Sequence, residues 1–156
     1  LAAARGLALA AAKPLIGVGS LDAIAYPARN AGQPILAVLD ANRGQIYAQS
    51  FTAEGETLSP ALVIAPDKIT ELMLKGAYTV VGTGIGLVRP YLAALSGPNL
   101  KLSFDATEGL PRASDVAHVA NSRPLKHGRA ARVDPLYLRA SYAMVAPQKN
   151  GIPRND

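Results

Sequence analysis

The stretch Ile35-Leu-Ala-Val-Leu-Asp40-Ala-Asn-Arg-Gly44-Gln-Ile46-Tyr-Ala-Gln-Ser-Phe51 decides how the rest of the chain is read. Its first run, Ile35 to Leu39, is short and continuously apolar, the pattern of a strand buried on both faces. Its second run alternates, with Ile46, Ala48 and Ser50 on one side and Tyr47, Gln49 and Phe51 on the other. That predicts a strand with two different faces. Between the runs, Asp40 can cap the connection with its carboxylate, and Gly44 can take the positive φ that ends a tight loop. The stretch is thus a β-hairpin of a mainly buried sheet. Asp40 and Arg43 project at its tip, close enough for a charge-assisted bond across the turn.

Upstream, Leu1 to Ala12 predicts a helix of strong helix formers, stopped by Lys13-Pro14. Leu1, Ala4, Ala8, Leu9 and Ala12 line one stripe, and Ala2, Ala3, Leu7 and Ala11 leave little polar face. A helix apolar all round is buried, either in its own core or against another chain, and alanines four apart let a second helix approach closely. Leu15 to Val18 reads as a short buried strand. Ser20 reads as an N-cap, and a short helix runs from Leu21 to Ala25 or Ala28, ending near Pro27. Arg29 to Pro34 is a polar connection and the best boundary between lobes.

Downstream, Ala53 to Glu56 is a second turn. Thr57 to Ile64 is an extended edge segment interrupted at Pro60. Pro66, Asp67 and Gly76 bracket a helix from Pro66 to Lys75. Tyr78 to Val81 is a buried strand. After it come Gly82-Thr-Gly-Ile-Gly86 and a helix from about Leu87 to Leu95. Asn99 to Phe104 alternates like a strand, and Ala113 to Asn121 predicts a helix capped by Ser114. Leu136 to Arg139 is a last extended piece, and the tail from Ala146 is loose. Three extended segments, then helix, strand, helix, strand, helix, is the order of a ribonuclease-H-like lobe. The division is 1–33 as the end of a first lobe, 34–140 as the second lobe, and 141–156 as a tail.

The chain has 156 residues, enough for about one domain, and 49% hydrophobic content, ample for a core. No apolar run approaches the roughly 20 residues that span a bilayer. The Ala-rich opening carries Arg5 inside it and lacks the layout of a signal peptide. With no cysteine, disulfides, thiolate zinc sites and cysteine nucleophiles are excluded from this chain, and a cytoplasmic location is compatible. A net charge of +5 permits contact with RNA or acidic partners, but the charge forms no long Lys/Arg block, and ordinary solubility is the better reading from charge alone.

Three blocks carry a resemblance. Asp40-Ala-Asn-Arg-Gly-Gln-Ile-Tyr47 is similar to the Asp-Ala-Arg-x-Gly-Glu-Val-Tyr hairpin of the bacterial TsaB (YeaZ) family. Ala4-Arg-Gly-Leu-Ala-Leu-Ala10 followed by Lys13-Pro-Leu-Ile-Gly-Val-Gly-Ser-Leu-Asp-Ala-Ile-Ala25 resembles that family's helix–strand–helix. Asp134-Pro-Leu-Tyr-Leu-Arg139 resembles its terminal Pro-x-Tyr-Leu-Arg. The family's opening strand with an Asp, and its Gly-Pro-Gly-Ser-Phe-Thr-Gly-x-Arg loop, are not in this sequence. That departure implies a fragment, a processed product, or a chain given without its front half.

The resemblance implies an actin-like ATPase fold, α/β, with a mixed sheet flanked by helices and a remnant of the first lobe. It implies a non-catalytic subunit that pairs with a TsaD-like paralogue. Together they support threonylcarbamoyl transfer to adenosine 37 of tRNA, with a TsaE-like protein as the ATPase. It places the pairing helices at Leu1, Ala4, Arg5, Ala8, Leu9, Ala12, Leu21 and Ala25, and allows a homodimer. No cofactor is implied in this chain, with ATP or ADP at most at the level of the complex, and tRNA is reached through the complex. A stand-alone actin-like kinase or a glycoprotease-type peptidase is the alternative, and it requires catalytic carboxylates in the front part.

Gly82, Thr83 and Gly84 follow a strand and precede a helix, where backbone N–H groups can meet a nucleotide phosphate. A tight strand-to-helix turn needs glycines for itself as well. His118 and His127 form no metal-ligand pair. Ser114, Asp115 and His118 can be composed into a triad, but no nucleophile elbow frames the serine. Arg123, Lys126, Arg129 and Arg132 can touch tRNA phosphates, with no aromatics interleaved to stack bases, so a solvated loop is the plainer reading.

Overall fold

The structure is a computed structural model, which describes residues 1–73, 76–95, 102–104, 109–123 and 133–139. Five strands form one sheet in the order β3-β2-β1-β4-β5. They are β1 (Ile35–Asp40), β2 (Ile46–Phe51), β3 (Leu62–Ile64), β4 (Tyr78–Val81) and β5 (Leu102–Phe104). The first three run antiparallel as a meander, with Asp40 opposite Ile46 at the hairpin end. Strand β4 then pairs parallel to β1, with Ala37 beside Val81, and β5 pairs parallel to β4. This mixed sheet flanked by helices is the ribonuclease-H-like fold expected from the order of elements, and the actin-like fold that the resemblance implies.

The sheet is central because β1 is apolar on both faces. Leu36 and Val38 point to a cluster with Ile46, Ala48, Tyr78, Val80, Val88 and Leu92. That side is covered by α3 (Ile85–Leu95) and by a 3-10 helix at Pro66–Leu72. Ile35 and Ala37 point the other way, onto Leu21, Ile24, Ala25 and Phe51. There α2 (Ser20–Ala25) and a 3-10 turn at Tyr26–Ala28 cover the sheet, and α4 (Ala113–Ser122) packs on α2. Burying two apolar faces is the main source of stability available to such a sheet. The two faces expected for β2 are real and point into different clusters.

Several local readings need correction. Leu15 to Val18 joins no ladder among the described residues, and the Gly17 carbonyl accepts from Arg123 Nη1 at 2.5 Å instead. The segment Pro66–Leu72 is a 3-10 helix rather than an α-helix, with Ile69 its one buried residue. Its backbone bonds close over three residues, from Lys68 N to Ala65 O at 3.0 Å and from Met73 N to Thr70 O at 3.2 Å. Ser20 is not the cap of α2. The Gly19 carbonyl accepts the first helical bond, from Ala23 N at 3.1 Å. In α4 the cap position belongs to Arg112, whose carbonyl accepts from Asp115 and Val116, so Ser114 lies inside the first turn. Leu136 to Arg139 pairs with no strand among the described residues. The loose tail from Ala146 lies outside the described residues.

Candidate functional site around the hairpin tip

Because β1 and β4 run parallel, their carboxyl ends meet at one edge of the sheet, the place where open α/β sheets carry their sites. The loop Ala41–Gln45 and the loop Gly82–Gly84 lie side by side there. At the hairpin tip, Asp40 Oδ1 accepts from the Asn42 N–H at 2.7 Å, the capping role expected of it. Ala41 N donates to Gln45 O at 2.9 Å and Gln45 N to Asn42 O at 3.2 Å. Asn42, Arg43 and Gly44 all take positive φ, at 61°, 56° and 72°. Three consecutive left-handed residues close the loop, so the strain extends beyond the glycine that the sequence singled out. Tyr47 is half-buried against the α2-side cluster.

The glycine loop is stitched to β1. Gly84 N donates to Val38 O at 3.1 Å, and Asp40 N donates to Thr83 Oγ1 at 3.1 Å. A Cβ on Gly82 would lie 2.0 Å from Val38 O, and Gly82 sits at φ 112°. The glycine is required by close backbone approach and by conformation together. The Gly84 N–H, one of the donors a phosphate would need, is already engaged.

A third segment closes the site. Arg139 Nη2 donates to Ala41 O at 2.9 Å, to Asn42 O at 3.3 Å and to Gln45 Oε1 at 2.8 Å. At the start of the same segment, Val133 O and Asp134 Oδ1 accept from Arg5 Nη2 of α1 (Ala2–Ala10) at 2.6 and 3.0 Å. Pro135, Leu136 and Leu138, between these two contacts, line an open cleft of about 1310 Å³. Leu15, Leu39, Asp40, Tyr47 and Thr83 form other parts of its wall.

The residues expected to pair with a partner divide. Helix α1 has no buried residue, and Leu7 and Leu9 are 73% and 85% exposed. Leu1, Ala4, Arg5 and Ala12 are exposed too, and Ala8 is half-buried. Leu21 and Ala25 do not belong with them. They are 6% and 1% exposed, in the core between α2 and the sheet, because the apolar side of α2 has a sheet face to cover.

His118 lies on α4 as expected and stacks on Tyr26, ring centroids 5.2 Å apart and planes 3° from parallel. Arg123 pairs with Asp22 at 3.2 Å. His127, Lys126, Arg129 and Arg132 lie outside the described residues. Among the described residues, no three His, Cys, Asp or Glu side chains gather where a metal could sit. No described helix is long and apolar enough to cross a membrane. Sequence reasoning missed the grip of Arg139 on the hairpin and of Arg5 on Asp134. The available signal was that both arginines sit inside blocks that resemble one family.

The family model for "TsaD: tRNA N6-adenosine threonylcarbamoyltransferase" matches residues 1–146. The chain belongs to that family. Within it, the chain is 32% identical over 151 residues to the tRNA threonylcarbamoyladenosine biosynthesis protein TsaB of Escherichia coli, so the TsaB (YeaZ) resemblance holds. That match covers 90% of this chain and 63% of the relative. Two solved structures share the fold. One is an uncharacterized protein with similarity to peptidase YeaZ from Pseudomonas aeruginosa, with TM-score 0.66 and 22% identity, covering 88% of this chain and 65% of that one. The other is YeaZ from Pseudomonas aeruginosa, with TM-score 0.62 and 23% identity, covering 77% and 57%. The chain therefore spans less than two thirds of the length of these relatives.

Proposed function

We propose that this chain acts as a TsaB-like subunit. It pairs with a TsaD-like protein and supports threonylcarbamoyl transfer to adenosine 37 of tRNA without carrying out the chemistry itself. The observation that carries the reading is α1. It is an apolar helix with no buried residue, in a chain matched by the TsaD family model over most of its length. Exposed apolar surface of this kind is stabilised by covering it, and another protein of the same fold offers a suitable helical face. A TsaE-like ATPase joins at the level of the complex, where ATP or ADP and the tRNA are bound. A homodimer through the same face is the assembly formed when the partner is absent. The setting is the cytoplasm.

Calorimetry with the TsaD-like protein of the same organism tests this reading. Leu9→Glu and Ala8→Trp are expected to weaken binding by tenfold or more while leaving the denaturant midpoint unchanged. Equal affinity for wild type and both variants would remove α1 from the interface. No binding by wild type would remove the pairing itself.

A further inference from the structure

Nine residues are too few for a helix to persist alone in water, and α1 buries none of its side chains. Its tie to distant sequence is Arg5, held by Val133 O and Asp134 Oδ1. Beside that tie, Val133 packs over Gly17, where an added Cβ would stand 3.0 Å from Val133 Cγ1. The segment from Val133 then runs to Arg139, a reach of at most about 20 Å for a chain this short. It joins no ladder among the described residues, and residues 134–137 are exposed. At its far end Arg139 donates to three oxygens of the hairpin tip. The segment thus has a guanidinium contact at each end and, among the described residues, no strand pairing between them.

We propose that Val133–Arg139 is a strap that couples the placement of α1 to the conformation of the hairpin tip. Releasing either guanidinium loosens both ends, because among the described residues the strap has no sheet pairing to absorb the slack. The two contacts differ in strength. Arg5 and Asp134 are 49% and 52% exposed, so salt screens the ionic part of that pair. Arg139 is half-buried and spreads its donation over two carbonyls and a carboxamide, which salt weakens less. The outer contact is the one that yields first. Coupling of this kind is real only if both ends bias one element, which is measurable.

Hydrogen exchange of the whole chain, read by mass spectrometry, is the test. The reporters are α1, with Ala11 N bonded to Leu7 O, and the hairpin tip, with Ala41 N bonded to Gln45 O. Strand β4 is the reference. Arg139→Ala is expected to speed exchange in α1 roughly tenfold, although its hydrogen bonds are to the hairpin tip. Arg5→Ala, which removes both bonds to the strap, is expected to speed exchange at the hairpin tip, and in each variant the effect at the far end is expected to exceed whatever change a global loss of stability produces in β4. Effects confined to the end that was mutated would overturn the proposal. If a variant also opens β4, wild type in about 1 M sodium chloride replaces it, since the Debye length there is about 3 Å. Salt that speeds α1 and the hairpin tip together supports the strap, and salt that frees α1 alone overturns it.

Discussion

The Arg139 guanidinium and the Gln45 carboxamide, 94 positions apart in sequence, meet at 2.8 Å. The contact brings together two of the three blocks by which the chain resembles its family. It also sets the loop at the carboxyl end of β1, because the same nitrogen reaches Ala41 O and Asn42 O.

Arg139→Ala is therefore expected to destabilise the chain by about 1.5–3 kcal/mol, the range for hydrogen bonds that involve a charged group. Arg139→Lys is expected to fall between that variant and wild type, since an ammonium lacks the planar fork that spans several acceptors. Urea melts of the three proteins measure the order. A lysine variant as stable as wild type would show that charge, not geometry, governs the contact.

The two loops at the site respond differently to a new Cβ. At Gly44, φ is 72° and nothing lies within 4 Å of the added carbon, so Gly44→Val costs only backbone strain, about 1 kcal/mol or slightly more. At Gly82 the carbon meets Val38 O at 2.0 Å, with φ at 112°. Gly82→Ala is expected to cost about 3 kcal/mol or more, through strain and displacement of β1. Comparable midpoints for the two variants would mean that the glycine loop does not press on β1.

Leu9 and Leu21 are both leucines on short apolar helices, yet Leu9 is 85% exposed and Leu21 is 6% exposed. Leu21→Ala is expected to lower stability by about 2–5 kcal/mol, as for other core truncations. Leu9→Ala is expected to stay within about 0.5 kcal/mol. Thermal and denaturant melts separate them, and an equal loss in both would place α1 inside the core.

Asp40 is exposed, but its carboxylate accepts from the Asn42 N–H at 2.7 Å. Asp40→Ala is expected to cost about 1 kcal/mol by releasing a loop of three left-handed residues. Asp40→Asn keeps an acceptor and is expected to recover most of that loss. No difference between the two would detach the side chain from the loop's stability.

Much of the architecture was legible because apolar patterning is local and repetitive. Ile35 to Leu39 announced a strand buried on both faces, Ile46 to Phe51 a strand with two faces, and Tyr78 to Val81 another buried strand. From that order alone the ribonuclease-H-like lobe followed. Leu15 to Val18 is the counterexample. It carries the same apolar signal, but a strand exists only where a neighbour takes its hydrogen bonds, and there a carbonyl goes to Arg123. The residue types of the site were equally visible, Asp40, Gly44 and Gly82 among them. Their arrangement was not, since no local pattern encodes that Arg139 reaches Gln45, that Arg5 reaches Asp134, or that Leu21 turns inward while Leu9 turns out. Those pairings follow from how the sheet stacks its two covers and brings distant segments to one edge, a property of the packed chain rather than of any stretch of it.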